Sequence, residues 1–170
     1  MHERRVEQCA MTTVIERLVT GYGPADDADV ETLVRACSVR SLSDRFAAAH
    51  RLTPDVVLGR YRRWLLAGEA VVARVGDRPV GLINLVDDPL RPRTTDLALL
   101  VADDVQRRGV ATGLLHHALG GPARAGWAVR ATVRDDNRAA IGLLRTQRLG
   151  PVRLASFEAG ELTYEIAIPA

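Results

Sequence analysis

From Leu97 to Leu119 the chain reads LALLVADDVQRRGVATGLLHHAL. The run Leu97 to Val101 is short, continuous and apolar, the pattern of a buried strand. Asp103 and Asp104 break it. Gly109, Val110, Ala111, Thr112 and Gly113 then carry only small or β-branched side chains, and Leu114, Leu115, Ala118 and Leu119 follow at helical spacing. The stretch therefore reads as strand, tight loop, helix. A helix that begins on small residues leaves its first backbone N–H groups open, and its dipole places roughly half a positive charge there. Gly109 and Ala111 let a phosphate approach the main chain, with Arg107 and Arg108 beside it. The same residues also suit an ordinary strand-to-helix connection, and the spacing alone does not choose between the two.

Around this stretch the chain divides into short elements. Residues 1–12 read as a loose leader, and residues 13–170 as one domain, a length sufficient to bury a full core. Val14 to Val19 is expected to be a first strand, ended by Gly21 and Gly23. A helix opens after Pro24, with acids in its first turn and Val30, Leu33, Val34 and Cys37 on one face. Ser41 to His50 reads as a short second helix. Thr53 followed by Pro54 marks a third helix start, with Val57, Tyr61, Trp64 and Leu65 as its apolar stripe and Gly68 as its end. Ala70 to Val75 and Val80 to Val86 flank Gly76-Asp77 as a hairpin. Beyond the central stretch, Trp127 to Val133 alternates as a fifth strand. Asp135, Asp136 and Asn137 precede a helix to about Arg148, and Val152 to Phe157 with Leu162 to Ile168 form a closing hairpin.

Composition narrows the function classes. The net charge is +2, with no basic arm and no aromatic-basic interleaving, which argues against nucleic acid. Cys9 and Cys37 give no disulfide framework, and His2, His50, His116 and His117 have no metal-ligand spacing, so no metal is expected. No apolar run reaches the ~20 residues of a membrane span and no signal peptide is visible, so a cytoplasmic location is expected. All 23 Lys and Arg residues are Arg. A GC-rich genome explains that bias, and it leaves no side-chain amine for self-acylation.

Gln106, Arg107, Arg108, Gly109, Val110 and Ala111 resemble the Q/R-x-x-G-x-G/A motif of the GNAT superfamily of acyl-CoA-dependent N-acyltransferases. The wider string VADD-x-Q-x-R-G is similar to bacterial Pat-type protein lysine acetyltransferases. So is S-x-S-x-R-F at Ser41, Ser43, Arg45 and Phe46, with Ser43 where the family has Tyr. The resemblance implies an α+β GNAT fold: a mixed, mostly antiparallel seven-stranded sheet flanked by helices, splayed between strands four and five. It implies acetyl-CoA as the acyl donor, with pyrophosphate held by Gln106, Arg107, Arg108, Gly109, Val110, Ala111 and Thr112. The pantetheine arm would lie along Leu99, Leu100 and Val101, and Asn137 would touch it. Asn137 is equally well placed as a helix N-cap.

The family tyrosine that protonates the leaving thiolate is replaced by Leu144, so that acid is excluded. A thiol of pKa roughly 8.5 leaves tolerably well unprotonated. The harder step is at the acceptor, because an amine of pKa ~10.4 is free base in only about one molecule in a few thousand at pH 7. A base is therefore required. Asp96, in Asp96-Leu97-Ala98, stands where Pat-like proteins carry Glu in E-[FV]-A, and it is the expected base, partly buried at the mouth of the strand. Asp87 and Asp88 are alternatives, whereas Asp103 and Asp104 suit turn or capping roles. The expected activity is N-acetylation of a primary amine, a protein lysine first. A small amine such as an antibiotic, amino acid or polyamine, or a non-catalytic acyl-CoA-binding regulatory domain, are the other readings. Monomer and homodimer are both compatible with the sequence.

Overall fold

The computed structural model describes residues 18–170; the expected leader and residues 14–17 of the expected first strand lie outside the described residues. The elements are β1 (Gly21–Pro24), α1 (Asp27–Arg35), α2 (Val39–Arg45), a third helix α3, β2 (Glu69–Val75), β3 (Arg78–Asp87), β4 (Thr94–Val101), α4 (Val110–Leu119), β5 (Ala128–Arg134), α5 (Arg138–Thr146), β6 (Val152–Glu158) and β7 (Glu161–Ala167). They build a seven-stranded sheet in the order β1-β2-β3-β4-β5-β7-β6. Every pairing is antiparallel except β4 with β5. That parallel contact covers only Thr94–Ala128, Thr95–Val129 and Asp96–Arg130. Past Asp96 the strands no longer pair, and a gap opens in the middle of the sheet. The α+β architecture and the splay expected from the resemblance are both present. Among the described residues no helix is long and apolar enough to cross a membrane.

The first strand differs from expectation. Val19 is buried but lies before the strand, which instead runs through Gly21, Tyr22, Gly23 and Pro24. These residues pair with Arg74 to Val71 of β2 at one edge of the sheet, where a missing side chain or N–H costs little. The second helix also starts earlier, capped by Ser38, and ends at Arg45. The third helix runs in three pieces, Pro54–Val56, a π-helical turn Val57–Tyr61, and Arg62–Leu65. Its wide turn adds a residue to the register and shifts the buried face by one position. Val57 and Leu65 are buried, while Trp64 is turned out to 52% exposure and carries Arg63 over its ring at 4.9 Å.

Helices cover both faces of the sheet. A Cβ built on Gly81 of β3 would lie 2.8 Å from Val110 Cγ1 and 2.9 Å from Leu114 Cδ1, so α4 rests directly on the backbone of β3 there. On the opposite face Asn84 donates through Nδ2 to the carbonyls of Leu65 (2.9 Å) and Ala67 (3.2 Å), fastening the end of α3. Gly81→Val forces methyl groups into the first contact. Overpacking of this kind costs about 1–3 kcal/mol, so the urea midpoint should fall with an unchanged slope. Stability within ~0.5 kcal/mol of the parent would mean that α4 is free to move off the strand.

Candidate active site

The loop between β4 and α4 is held open by its backbone. Arg107 has φ 64° and Gly109 φ 84°, both left-handed. Gly109 is the N-cap of α4 and no side chain caps the helix. The first bond of the helix runs from Gly113 N–H to Gly109 O at 2.9 Å. The N–H groups of Val110, Ala111 and Thr112 therefore have no acceptor within the helix. Arg107 and Arg108 are exposed and form no ion pair among the described residues. Uncapped amides, a left-handed glycine and two uncommitted guanidiniums fit an incoming pyrophosphate.

Gln106 acts differently from its neighbours. Its side-chain amide donates to Ser41 Oγ (3.0 Å), Val101 O (3.1 Å) and Asp103 Oδ1 (3.3 Å), so it joins the loop to the start of α2. Asp103 also accepts from Ser38 N–H (3.1 Å), and Asp104 holds Arg78 through two bonds of 2.8 and 2.7 Å. Both acids are thus framework residues. Cys37 donates to Val101 O at 3.7 Å; burial, with Asp103 and Asp104 nearby, pushes its thiol up to about 12, which makes it unreactive.

The exposed edge of β4 follows from its register. Ala102 N–H bonds Val80 O and Asp88 N–H bonds Thr94 O, which fixes Leu100, Ala98 and Asp96 as the residues whose main chain faces β3. Leu97, Leu99 and Val101 consequently turn theirs toward β5, and beyond Asp96 that is the gap. Of the three residues expected along the pantetheine arm, Leu99 and Val101 face it and Leu100 does not. Val101 O is already occupied by Gln106 and Cys37, which leaves its N–H. An extended amide-bearing arm can pair with such an edge as an added strand does. Asn137 caps α5, its Oδ1 accepting from Ala140 N–H at 3.1 Å, while its Nδ2 makes no hydrogen bond among the described residues.

Asp96 sits at the last pair before the gap, between Val86 of β3 and Arg130 of β5. Alternation puts its side chain on the same face as Ala98 and Asn84, the face covered by α2 and α3. It is exposed rather than partly buried as expected, because β5 diverges immediately beyond it and no longer covers it. It forms no ion pair among the described residues. The alternatives are engaged elsewhere: Asp87 binds Arg124 (2.7 Å), and Asp88 accepts from Leu90 N–H (2.8 Å). Leu144, in place of the family tyrosine, is buried.

Several contributors were not legible in the sequence. Helix α2 packs against both β4 and β5. Arg134 at the end of β5 donates to Ala48 O (3.1 Å) and lies 3.9 Å from Asp44, whose carboxyl burial raises. Each residue of S-x-S-x-R-F has a fixed contact. Ser41 holds Gln106, Ser43 accepts from Leu52 N–H (3.0 Å), Arg45 binds Asn84 Oδ1 (2.8 Å), and Phe46 lies 5.0 Å from the Tyr61 ring.

A splayed mixed sheet with an uncapped helix start beside the splay defines a GNAT-type acyltransferase fold. The model of the acetyltransferase (GNAT) family matches residues 38–150, and the chain belongs to that family. It is therefore an acyltransferase whose donor is acetyl-CoA. Solved structures share the fold. The GNAT domain of S. lividans Pat superposes with a TM-score of 0.68 at 21% identity, covering 86% of this chain and 89% of that one. The yncA protein of Salmonella typhimurium, solved with acetyl-CoA, gives 0.62 at 20% identity, with 88% and 94% covered. Diaminobutyrate acetyltransferase EctA of Paenibacillus lautus, solved with its substrate and coenzyme A, gives 0.57 at 18%, with 87% and 94% covered. No curated protein sequence matches this one.

Proposed function

We propose that the protein transfers the acetyl group of acetyl-CoA to a primary amine, with a protein lysine side chain as the acceptor and Asp96 as the base. The observation that carries this reading is the exposed Asp96 at the vertex of the splay, without an ion pair among the described residues. The amine nitrogen forms the C–N bond, the C–S bond breaks with its electron pair on sulfur, and the nitrogen's proton passes to Asp96. The carboxylate is exposed and one methylene shorter than the family Glu, so a single water carries that proton. The phosphate loop would be Arg107, Arg108, Gly109, Val110, Ala111 and Thr112, with Leu99 and Val101 along the pantetheine arm. Gln106 contributes by holding the loop in place, and Asn137 through Nδ2. The likeness to the Pat domain and the S-x-S-x-R-F segment support a protein acceptor.

The test is a thiol-release screen with acetyl-CoA against lysine-bearing proteins and a panel of small amines. Release with the proteins is the expected result. Release with small amines alone would replace the acceptor class. Cofactor binding with no release on either panel would overturn the acetyl-transfer reading.

A further inference from the structure

Two guanidiniums on the acceptor face lack an anionic partner among the described residues. Arg45 closes α2. Its Nη2 donates to Asn84 Oδ1 at 2.8 Å, its Nε is buried with no hydrogen-bond partner, and no carboxylate lies within ion-pair distance among the described residues. The Phe46 ring, 5.1 Å from its central carbon, is a weak substitute for an anion. Burial lowers the guanidinium to about 10, the mark of a cation desolvated without compensation. Asn84 pairs with Ala98 and so stands diagonal to Asp96 on the same face.

Arg130 pairs directly with Asp96 in the parallel ladder and with Glu165 of β7. Glu165 is bound instead by Arg153, at 2.6 Å. Arg130 forms no ion pair among the described residues. Further along β5 on this face, Arg134 is held by Asp136 through bonds of 3.0 and 3.1 Å. Asp96 thus has Arg130 beside it on β5, and Arg45 reaches the same face from α2 through Asn84, neither in an ion pair among the described residues. Such a wall repels a lone ammonium group and attracts an amine whose charge is balanced nearby.

We propose that Arg45 and Arg130 bind a carboxylate carried by the acceptor close to its reacting amine, so that the acceptor meets this face as a zwitterion with the nitrogen at Asp96. This deepens the acetyl-transfer reading and rests on it. Two sources share the chemistry: a free amino acid, or a lysine flanked by an acidic residue in a protein.

The experiment compares acceptors matched except for the carboxylate. L-lysine is set against lysine amide and cadaverine, and a blocked peptide with Glu beside Lys against the same peptide with Gln. Thiol release is read as kcat/KM. The expected result is at least a ~10-fold preference for the carboxylate form in one arm, which also identifies the source. In Arg130→Gln, where the parent side chain forms no hydrogen bond or ion pair among the described residues, the ratio should fall toward one through KM rather than kcat. Arg45→Gln should do the same where it folds. Acetate and hexanoate should compete with the acceptor and not with acetyl-CoA. Equal turnover with and without the carboxylate overturns the inference and leaves acetyl transfer standing. A preference that survives both substitutions overturns the assignment to these arginines. No thiol release on any acceptor, with acetyl-CoA bound, removes the transfer reading and this inference together.

Discussion

Gly109→Asp should abolish acetyl-CoA binding while leaving a folded protein. The position is left-handed, φ 84°, a region that Asp enters more readily than most residues, at a cost of about 1–2 kcal/mol. A domain with about 5–15 kcal/mol of stability tolerates that. The ligand does not tolerate it. The new carboxylate would stand at the start of α4, where the N–H groups of Val110, Ala111 and Thr112 have no other acceptor among the described residues, and would both occupy and repel the proposed phosphate position. In the parent, acetyl-CoA at 100 times its dissociation constant should raise stability by about 2.7 kcal/mol; in the variant that gain should vanish. Calorimetric titration and thermal melts with and without ligand measure both effects. Unchanged affinity in a folded Gly109→Asp would remove the phosphate-loop assignment.

Asp96→Asn should lower turnover by about 10²–10⁴-fold, the usual weight of a general base, with acetyl-CoA affinity nearly unchanged. The substitution preserves size and removes basicity. Because Asp96 is exposed and without an ion pair among the described residues, the loss should appear in kcat rather than in stability. Asp88→Asn is the control. Asp88 accepts from Leu90 N–H within its own turn and stands before β4, so its loss should trim stability slightly and turnover little. Parental turnover in Asp96→Asn with a good acceptor would place the base elsewhere or mean that the amine arrives neutral.

The parts of this fold that could be read in advance are those fixed by local chemistry. Thr53-Pro54 capped a helix as expected, its hydroxyl accepting from Val56 N–H. Gly76-Asp77 turned a hairpin, and the small residues after Arg108 began α4. The errors arose where long-range contacts decided. Trp64 lies on the apolar stripe of a regular helix, but a π-helical turn rotated it outward. Gly21 to Pro24 look like a terminator, yet an edge partner in β2 makes them a strand. Asp96 was located by its neighbours Leu97 and Ala98, whereas its exposure depended on where β5 leaves β4, and no local pattern records that. Arg45 was marked only as part of the S-x-S-x-R-F segment and Arg130 not at all, since an Arg in a helix or a strand is ordinarily solvated; what distinguishes them is that neither forms an ion pair among the described residues, a property of the assembled face.

The parallel seam between β4 and β5 is three residue pairs long, and the molecule is in effect two plates joined along that seam. Side chains brace the joint from outside. Arg134 reaches from β5 to the Ala48 carbonyl, and Arg124 spans Glu69 and Asp87 at 2.9 and 2.7 Å. The gap between β4 and β5 is consequently a matter of connectivity and needs no lid to create it. The β4 edge that faces it is main chain, indifferent to side-chain identity, so substitutions on α2 and α3 can reshape the neighbouring face while that edge keeps its form. One scaffold can thereby change customers without rebuilding its counter.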